Sequence, residues 1–175
     1  MTRSLRHAAL LAVAAVCLPL LTGCAAYVNI PDQKGSVARS NPNTENVRLV
    51  EAESLTWLVT QSAVPGPVSV KLPPGSTAET YDWVLGQIGD RAVPYDQAGG
   101  LNSVDYEVRG VRIRAQDGFV DIAQTASAGV ARIVTVELHY DPFGGWAVTD
   151  VVPWGTITDP SQQVFKPAGT QPAEW

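Results

Sequence analysis

Residues 104–122, VDYEVRGVRIRAQDGFVDI, decide the fold, because apolar and polar residues alternate along most of this stretch. A period of two is typical of a β-strand with one buried face. The apolar side chains fall on even positions up to Val108 and on odd positions from Val111 to Ala115. One inserted residue at Arg109-Gly110 restores the alternation, and this predicts a β-bulge.

A tight turn is predicted inside the same stretch. Asp117-Gly118 is a strong signal for a two-residue type I′ hairpin turn. A turn at this point pairs Arg114 with Asp121 and aligns the apolar residues of the two strands. Opposite charges and apolar side chains then meet across the ladder, so turn and register agree.

Two stretches with helical spacing precede these strands. Residues 43–61 carry apolar side chains along one broad arc and predict a first helix. The second helix follows an i, i+3, i+4, i+7 stripe, begins with a capping box of Ser76 and Glu79, and ends at Gly89.

Further strands complete the pattern. Residues 68–72 alternate and predict a strand between the helices, and residues 132–140 and 146–154 predict a final hairpin. The order is then helix, strand, helix and four antiparallel strands. We expect an α+β fold, with two helices packed on one face of a curved, mainly antiparallel sheet of about five strands.

The final hairpin carries a family resemblance. Its two strands, from Arg132-Ile133-Val134 to Gly145-Trp146-Ala147-Val148, resemble those of the nuclear-transport-factor-like (SnoaL-like) cone folds. The resemblance covers half of the chain and implies a cone that can enclose a pocket. Members of that fold include enzymes, binding modules and proteins without activity, so the resemblance does not choose a function.

The amino terminus carries a secretion pattern. Arg3 and Arg6 precede an apolar run over residues 8–21. This run is shorter than the ~20 residues that a membrane-spanning helix needs, and it is typical of a secretory signal. Leu21-Thr22-Gly23-Cys24 follows and resembles the lipobox of bacterial lipoprotein precursors.

The lipobox resemblance implies that Cys24 is acylated with diacylglycerol and that residues 1–23, the signal peptide, are removed. It also implies a place in the cell envelope. Ala25 is permissive for an outer membrane, facing the periplasm, if the organism has one. The alternatives are an uncleaved anchor, or a chance cysteine behind an ordinary signal.

Composition divides the rest of the chain into three parts. Residues 24–43 are polar and interrupted by proline and glycine, which predicts a lipidated flexible tether with a reach of ~25 Å. Residues 44–156 have the size of a single α+β domain. Residues 157–175 are rich in proline and glutamine and predict a disordered tail.

Charge and cysteine usage exclude several partners. The net charge of −5 becomes −5 − 2 = −7 once Arg3 and Arg6 are removed. An acidic chain is a poor ligand for nucleic acid or anionic lipid, so we expect attachment to the bilayer through acyl chains. Cys17 leaves with the signal, so no internal disulfide forms.

Signatures of cofactors and metals are missing from the sequence. It has no GxGxxG, Walker, GxSxG, HExxH or CxxC motif. After processing, one histidine and one acylated cysteine remain, which leaves no His/Cys zinc site. We therefore expect neither a metal nor a cofactor.

The best candidate for acid–base chemistry lies on the final hairpin. Glu137 and His139 share one face of their strand, and a four-residue connection places Asp150 opposite Glu137 and Val148 opposite His139. Adjacent carboxylates raise each other's proton affinity, as an acid–base site requires. The alternative, which we favour, is a solvated outer sheet face.

Two further side chains stand out on the helices. Glu51 falls within the apolar arc, where it is either buried with a raised pKa or, as we favour, at the rim of the helix. Trp83 projects opposite the apolar stripe, where an exposed indole would indicate a surface for a protein partner; the alternative, which we favour, is that the first helix or the tether covers it.

These features lead to two functional hypotheses. We expect a membrane-anchored envelope lipoprotein with a small, non-enzymatic binding or assembly domain. The alternative is an envelope small-ligand binder or acid–base enzyme, with a cone-type pocket lined by His139, Glu137 and Asp150.

Overall fold

The computed structural model describes residues 27–32, 40–62, 66–95, 104–125 and 131–157. Within these residues lie two helices and seven strands. In chain order they are β1 (Tyr27–Ile30), α1 (Glu45–Gln61), β2 (Val68–Lys71), α2 (Ala78–Ile88), β3 (Ala92–Pro94), β4 (Val104–Arg114), β5 (Asp117–Thr125), β6 (Ala131–Asp141) and β7 (Gly145–Ile157).

The strands form one mixed, open sheet in the order β3-β2-β4-β5-β6-β7. β2 is parallel to both β3 and β4, whereas β4 to β7 form an antiparallel meander. β1 pairs antiparallel with the half of β4 that β2 leaves free. The α+β class is confirmed. The described residues hold seven strands rather than about five, because β1 and β3 are short and lack an alternating pattern.

β4 contains the predicted bulge. Its register with β5 shifts between Val108 and Gly110, so that Val108 and Val111 are both buried on the helix side. A Cβ on Gly110 would lie 3.2 Å from an Asp121 carboxylate oxygen and 3.2 Å from the Ile30 carbonyl oxygen. Arg109 is the unpaired residue of the bulge, and a side chain on the adjacent Gly110 would have to displace Asp121 or the Ile30 carbonyl by a few tenths of an ångström.

The predicted turn between β4 and β5 is wrong. The turn lies at Ala115-Gln116, and Arg114 pairs with Asp117 instead of Asp121. The two registers differ by an even number of residues, so the same side chains still face the helix. Ala115 accepts a left-handed backbone (φ 57°) to make this turn.

Gly118 explains why the turn is displaced. It lies within β5, where a Cβ would be 3.1 Å from the Trp146 ring and 3.3 Å from Val50. The glycine leaves room for Val50 of α1 and for the Trp146 ring from β7 to pack against β5, and close approach of this kind is a common role for glycine inside a strand. The local pattern assigns Gly118 to a turn, but tertiary packing against Trp146 and Val50 needs this glycine inside the strand.

α1 covers the inner face of the sheet and fills it with apolar side chains. It contacts β4, β5, β6 and β7, and α2 packs on α1 and beside β3. Full burial of one Val or Leu side chain stabilises a fold by about 1.5–3 kcal/mol. The buried apolar residues of α1 are Val47, Val50, Ala52, Leu55, Leu58 and Val59.

The start of α2 differs from the predicted capping box. Thr77, not Ser76, is the N-cap, and its hydroxyl oxygen accepts the Thr80 N–H at 3.3 Å. Glu79 lies one position too early to reach back to this cap. The predicted end at Gly89 is confirmed, with φ 97°.

The predicted tether over residues 24–43 does not hold for Tyr27–Ile30, which form β1. Val28 pairs with Ile113, and the Ile30 side chain joins the core. This strand escapes sequence analysis because it has four residues and is followed by Pro31. The predicted signal peptide, Cys24 and residues 158–175 of the predicted tail lie outside the described residues.

No helix of the described ranges has both the length and the apolar character needed to cross a membrane.

Replacing Gly118 with alanine tests the close approach. The new methyl group meets Trp146 at 3.1 Å and Val50 at 3.3 Å, so we expect a loss of about 1–3 kcal/mol in unfolding free energy. Gly86→Ala is the matched control, because a Cβ there has no neighbour within 4 Å in α2; we expect a gain of about 0.5–1 kcal/mol. Urea denaturation measures both, and an unchanged midpoint for Gly118→Ala would contradict the packing described.

Candidate functional site

The predicted acid–base residues lie on β6 and β7, on the sheet face turned away from α1. Glu137 pairs directly with Asp150, as predicted. His139 pairs with Ala147, not with the predicted Val148, because the connection has three residues and a second register shift follows Glu137. A bulge in β7 thus compensates for the shorter turn and keeps the two carboxylates opposite each other.

His139 has a different carboxylate partner. Its Nδ1 lies 2.9 Å from Asp117 Oδ1, and the two side chains are 52% and 59% exposed. Asp117 comes from the start of β5, which sequence analysis had assigned to a turn. The His139–Asp117 pair is therefore about half exposed to solvent, on the sheet face turned away from α1.

Asp150 interacts with its own strand. Its Oδ1 accepts the Val151 N–H at 2.7 Å. β7 is the last strand of the sheet, and Val151 belongs to it. The carboxylate therefore satisfies a backbone donor of an edge strand, and exposed donors of this kind promote strand pairing between molecules when they are left free.

These positions do not assemble the predicted pocket. The helix side of the sheet is filled by α1, and His139, Glu137 and Asp150 lie on the opposite side. Across the described ranges, no group of three or more His, Cys, Asp or Glu side chains is arranged to hold a metal ion. A general acid or base also needs a substrate held within hydrogen-bond reach.

A buried polar network lies farther along the same face of β5 and β6, beyond the Phe119–Glu137 pair. Asp121 is only 4% exposed and accepts two hydrogen bonds from Arg112 Nη2, at 2.9 and 3.1 Å. The Thr135 hydroxyl also donates to Asp121 and accepts the Trp154 indole N–H at 2.7 Å. The four side chains connect β4, β5, β6 and β7, so this carboxylate has a structural role.

This network was not predicted, because the expected β4–β5 turn paired Asp121 with Arg114. The observed register places Asp121 opposite Gly110 and diagonal to Arg112. Each of Arg112, Asp121 and Thr135 lies between two apolar residues in the sequence, so alternation places all three on the polar face of their strands. Only the observed register shows that these side chains meet.

Glu51 is buried, and the favoured position at the rim of α1 is wrong. Its side chain is 0% exposed, and within the described part of the chain neither carboxyl oxygen has a hydrogen-bond partner. Burial raises the pKa of the Glu51 carboxyl from 4.5 to about 8. At neutral pH the side chain is therefore mostly protonated, since ionisation in an apolar interior is unfavourable.

Trp83 is half-buried beside α1. The Arg48 guanidinium lies 5.4 Å from the centre of its ring, and the ring packs against the core. Arg48 belongs to α1, so a residue of the first helix already lies over the indole. The partner surface at Trp83 stays a prediction.

The tip of the β6–β7 hairpin presents a side chain that sequence analysis treated only as loop. Phe143 is fully exposed. Asp141 Oδ1 accepts the N–H of Phe143 at 2.7 Å and the N–H of Gly144 at 3.0 Å, which fixes the turn. Below the tip, the rings of Tyr140 and Trp146 pack with centroids 5.4 Å apart. An ordered turn thus holds a large apolar side chain in solvent.

No protein-family model matches this chain, and neither the curated proteins nor the solved structures yield a significant match. The resemblance to the nuclear-transport-factor-like folds accordingly stays a prediction.

Glu51 predicts an unusual pH dependence of stability. In the unfolded chain the carboxyl ionises near pH 4.5, whereas in the folded chain it keeps its proton up to about pH 8. Folding then takes up a proton between these values, so the contribution of Glu51 to stability is complete at low pH and falls as pH rises. The slope is about 1.4 kcal/mol per pH unit at most.

Glu51→Gln removes this dependence, because the amide has no charge to lose. We expect the unfolding free energy of the variant, relative to wild type, to rise by a few kcal/mol between pH 5 and pH 8. Glu53→Gln, at an exposed site on the same helix, is the control and should follow the wild-type curve. Parallel curves for Glu51→Gln and wild type, in urea titrations at several pH values, would show that Glu51 does not titrate as described.

Proposed function

We propose that this chain is a bacterial envelope lipoprotein, attached to the bilayer through acylated Cys24 and acting through a small, non-enzymatic binding or assembly domain. The observation that carries the proposal is Leu21-Thr22-Gly23-Cys24 behind Arg3, Arg6 and an apolar run. Charge, length and the position of the cysteine agree with a lipoprotein signal.

The start of β1 supports attachment at Cys24. Only three peptide steps separate Cys24 from Tyr27, the first residue of the strand. A fully extended chain of this length spans at most ~11 Å. Cys24 is thus close to the folded body and is the sole cysteine after processing, so it is free for acylation.

The filled inner face supports binding or assembly over catalysis. α1 occupies the side of the sheet where a cone-type fold would hold a ligand. His139 and Asp117 are half-exposed, and Asp150 is engaged with the backbone of β7. An enzyme site excludes water and holds its acid and base beside the substrate, which this open face does not provide.

The proposed location is the cell envelope, in the outer membrane facing the periplasm if the organism has one. Ala25 after the acylated residue supports this, since the resemblance assigns inner-membrane retention to an aspartate at that position. The acidic composition, with a net charge of −5, supports attachment by acyl chains and gives no basis for binding nucleic acid.

Cys24→Ala tests the proposed anchoring, with Cys17→Ala as the matched control within the signal. We expect wild type and Cys17→Ala to incorporate labelled palmitate and to yield a mature chain that begins at residue 24. Cys24→Ala should take up no label and should keep residues 1–23, because cleavage follows acylation. Mass spectrometry of the amino terminus and palmitate labelling read this out. An unlabelled wild-type chain, or a labelled Cys24→Ala chain, would refute the anchor.

A further inference from the structure

One end of the sheet lies next to the proposed lipid anchor. The strand registers align a single row of residues across five strands. This row consists of Tyr27, Arg114, Asp117, His139 and Ala147. Beyond it lie the β4–β5 turn and the tip of the β6–β7 hairpin, and we call these parts together the anchor-side end.

Exposed aromatic residues concentrate at this end. Among the described residues, five large hydrophobic side chains are exposed, and three of them, Tyr27, Tyr140 and Phe143, belong to the anchor-side end. Tyr27 is 62% exposed, and Phe143 is fully exposed. Aromatic side chains are the ones that favour the boundary between headgroups and acyl chains.

The two most exposed aromatic residues stand on opposite sides of the anchor-side end. Three strand spacings of ~4.8 Å separate β1 from β6, and the hairpin tip extends two to three residues beyond the row, or about 7–10 Å. Phe143 therefore projects past the β4–β5 turn. The Tyr140 N–H donates to the Gln116 carbonyl at 2.8 Å, which braces the hairpin against that turn.

The anchor-side end carries a small net charge, because Arg114 offsets one of its two aspartates, Asp117 and Asp141. The Arg114 guanidinium lies 4.1 Å from the centre of the Tyr27 ring, and Arg114 pairs with Asp117 in the ladder. The Asp141 carboxylate is occupied by backbone N–H groups of the tip. A surface of this kind suits a neutral, zwitterionic bilayer and does not depend on anionic lipid.

We propose that the anchor-side end docks on the bilayer, with Phe143 and Tyr27 inserted at the headgroup–acyl boundary. The proposal rests on the proposed acylation of Cys24, which holds Tyr27 within ~11 Å of the acylated residue. We propose a bilayer as the binding partner because β1 begins at this end of the sheet, so the proposed lipid anchor at Cys24 leads into the domain here. Docking fixes the domain in one orientation, with its opposite end turned away from the membrane.

Quenching of a fluorescent label tests the orientation. The acylated full-length chain is reconstituted into phosphatidylcholine vesicles, with one new cysteine labelled in each variant, since Cys24 is blocked by its acyl group. Phe143→Cys reports the tip, and Asp90→Cys, exposed beyond α2 beside the opposite end of the sheet, is the matched control. We expect aqueous iodide to quench the Phe143 label several-fold less than the Asp90 label.

A second label position serves as a control, because a label at position 143 replaces the residue that is proposed to insert and could itself enter the bilayer. A label on Gln116→Cys, in the β4–β5 turn, is compared with Phe143 intact and with Phe143→Ser. Because Phe143 is fully exposed, its replacement leaves the core unchanged. We expect quenching at position 116 to rise several-fold when Phe143 is replaced.

The outcomes separate the two proposals. A chain that does not float with the vesicles refutes the anchor and the docking together. A chain that floats with equal quenching at positions 143 and 90, or with no response to Phe143→Ser at position 116, keeps the anchor and refutes the docking. Shielding that disappears on tenfold dilution of protein in lipid also refutes it, since the tip then contacts another protein molecule.

Discussion

The close approach at Gly110 is the constraint on which the sheet depends. A Cβ at this position would lie 3.2 Å from both Asp121 and the Ile30 carbonyl, so the bulge in β4 admits only glycine without displacement of a neighbour. The bulge brings Val108 and Val111 to the same side of the sheet. Without the bulge, the apolar residues of one half of β4 would face away from α1. β4 would then contribute to the core only beside β2 or only beside β1.

Two buried carboxylates show the opposite ways in which this fold handles charge. Asp121 sits in the space that Gly110 leaves and is compensated by Arg112 and Thr135, so its burial joins neighbouring strands. Glu51 is a buried residue of α1 without such compensation, and its proton remains bound because ionisation there is costly. The first arrangement favours one register of the sheet, whereas the second makes stability depend on pH.

Local patterns predicted what local interactions determine. The bulge in β4 and the end of α2 at Gly89 followed from alternation and helix capping, whereas the predicted pairing of Glu137 with Asp150 holds only because a bulge in β7 offsets a connection one residue shorter than expected. The β4–β5 turn did not, because Gly118 is required against Trp146 and Val50, which are distant in sequence. His139 therefore faced an unexpected carboxylate. The burial of Glu51 could not be predicted either. Helical spacing gives the direction in which a side chain points, but not how completely neighbouring elements cover that side of the helix.

The replacement of a long tether by β1 changes what the domain can do at a membrane. A flexible spacer over residues 24–43 would allow the domain any orientation, whereas the two residues between Cys24 and β1 limit how far the anchor and the domain can separate. If Cys24 is acylated, a soluble partner has access to the outer sheet face and the far end of the domain, but not to the anchor-side end. The half-exposed His139–Asp117 pair lies in the row nearest the anchor, so its surroundings would include lipid headgroups as well as water. Recognition of a soluble partner is then expected on the surfaces farther from Tyr27.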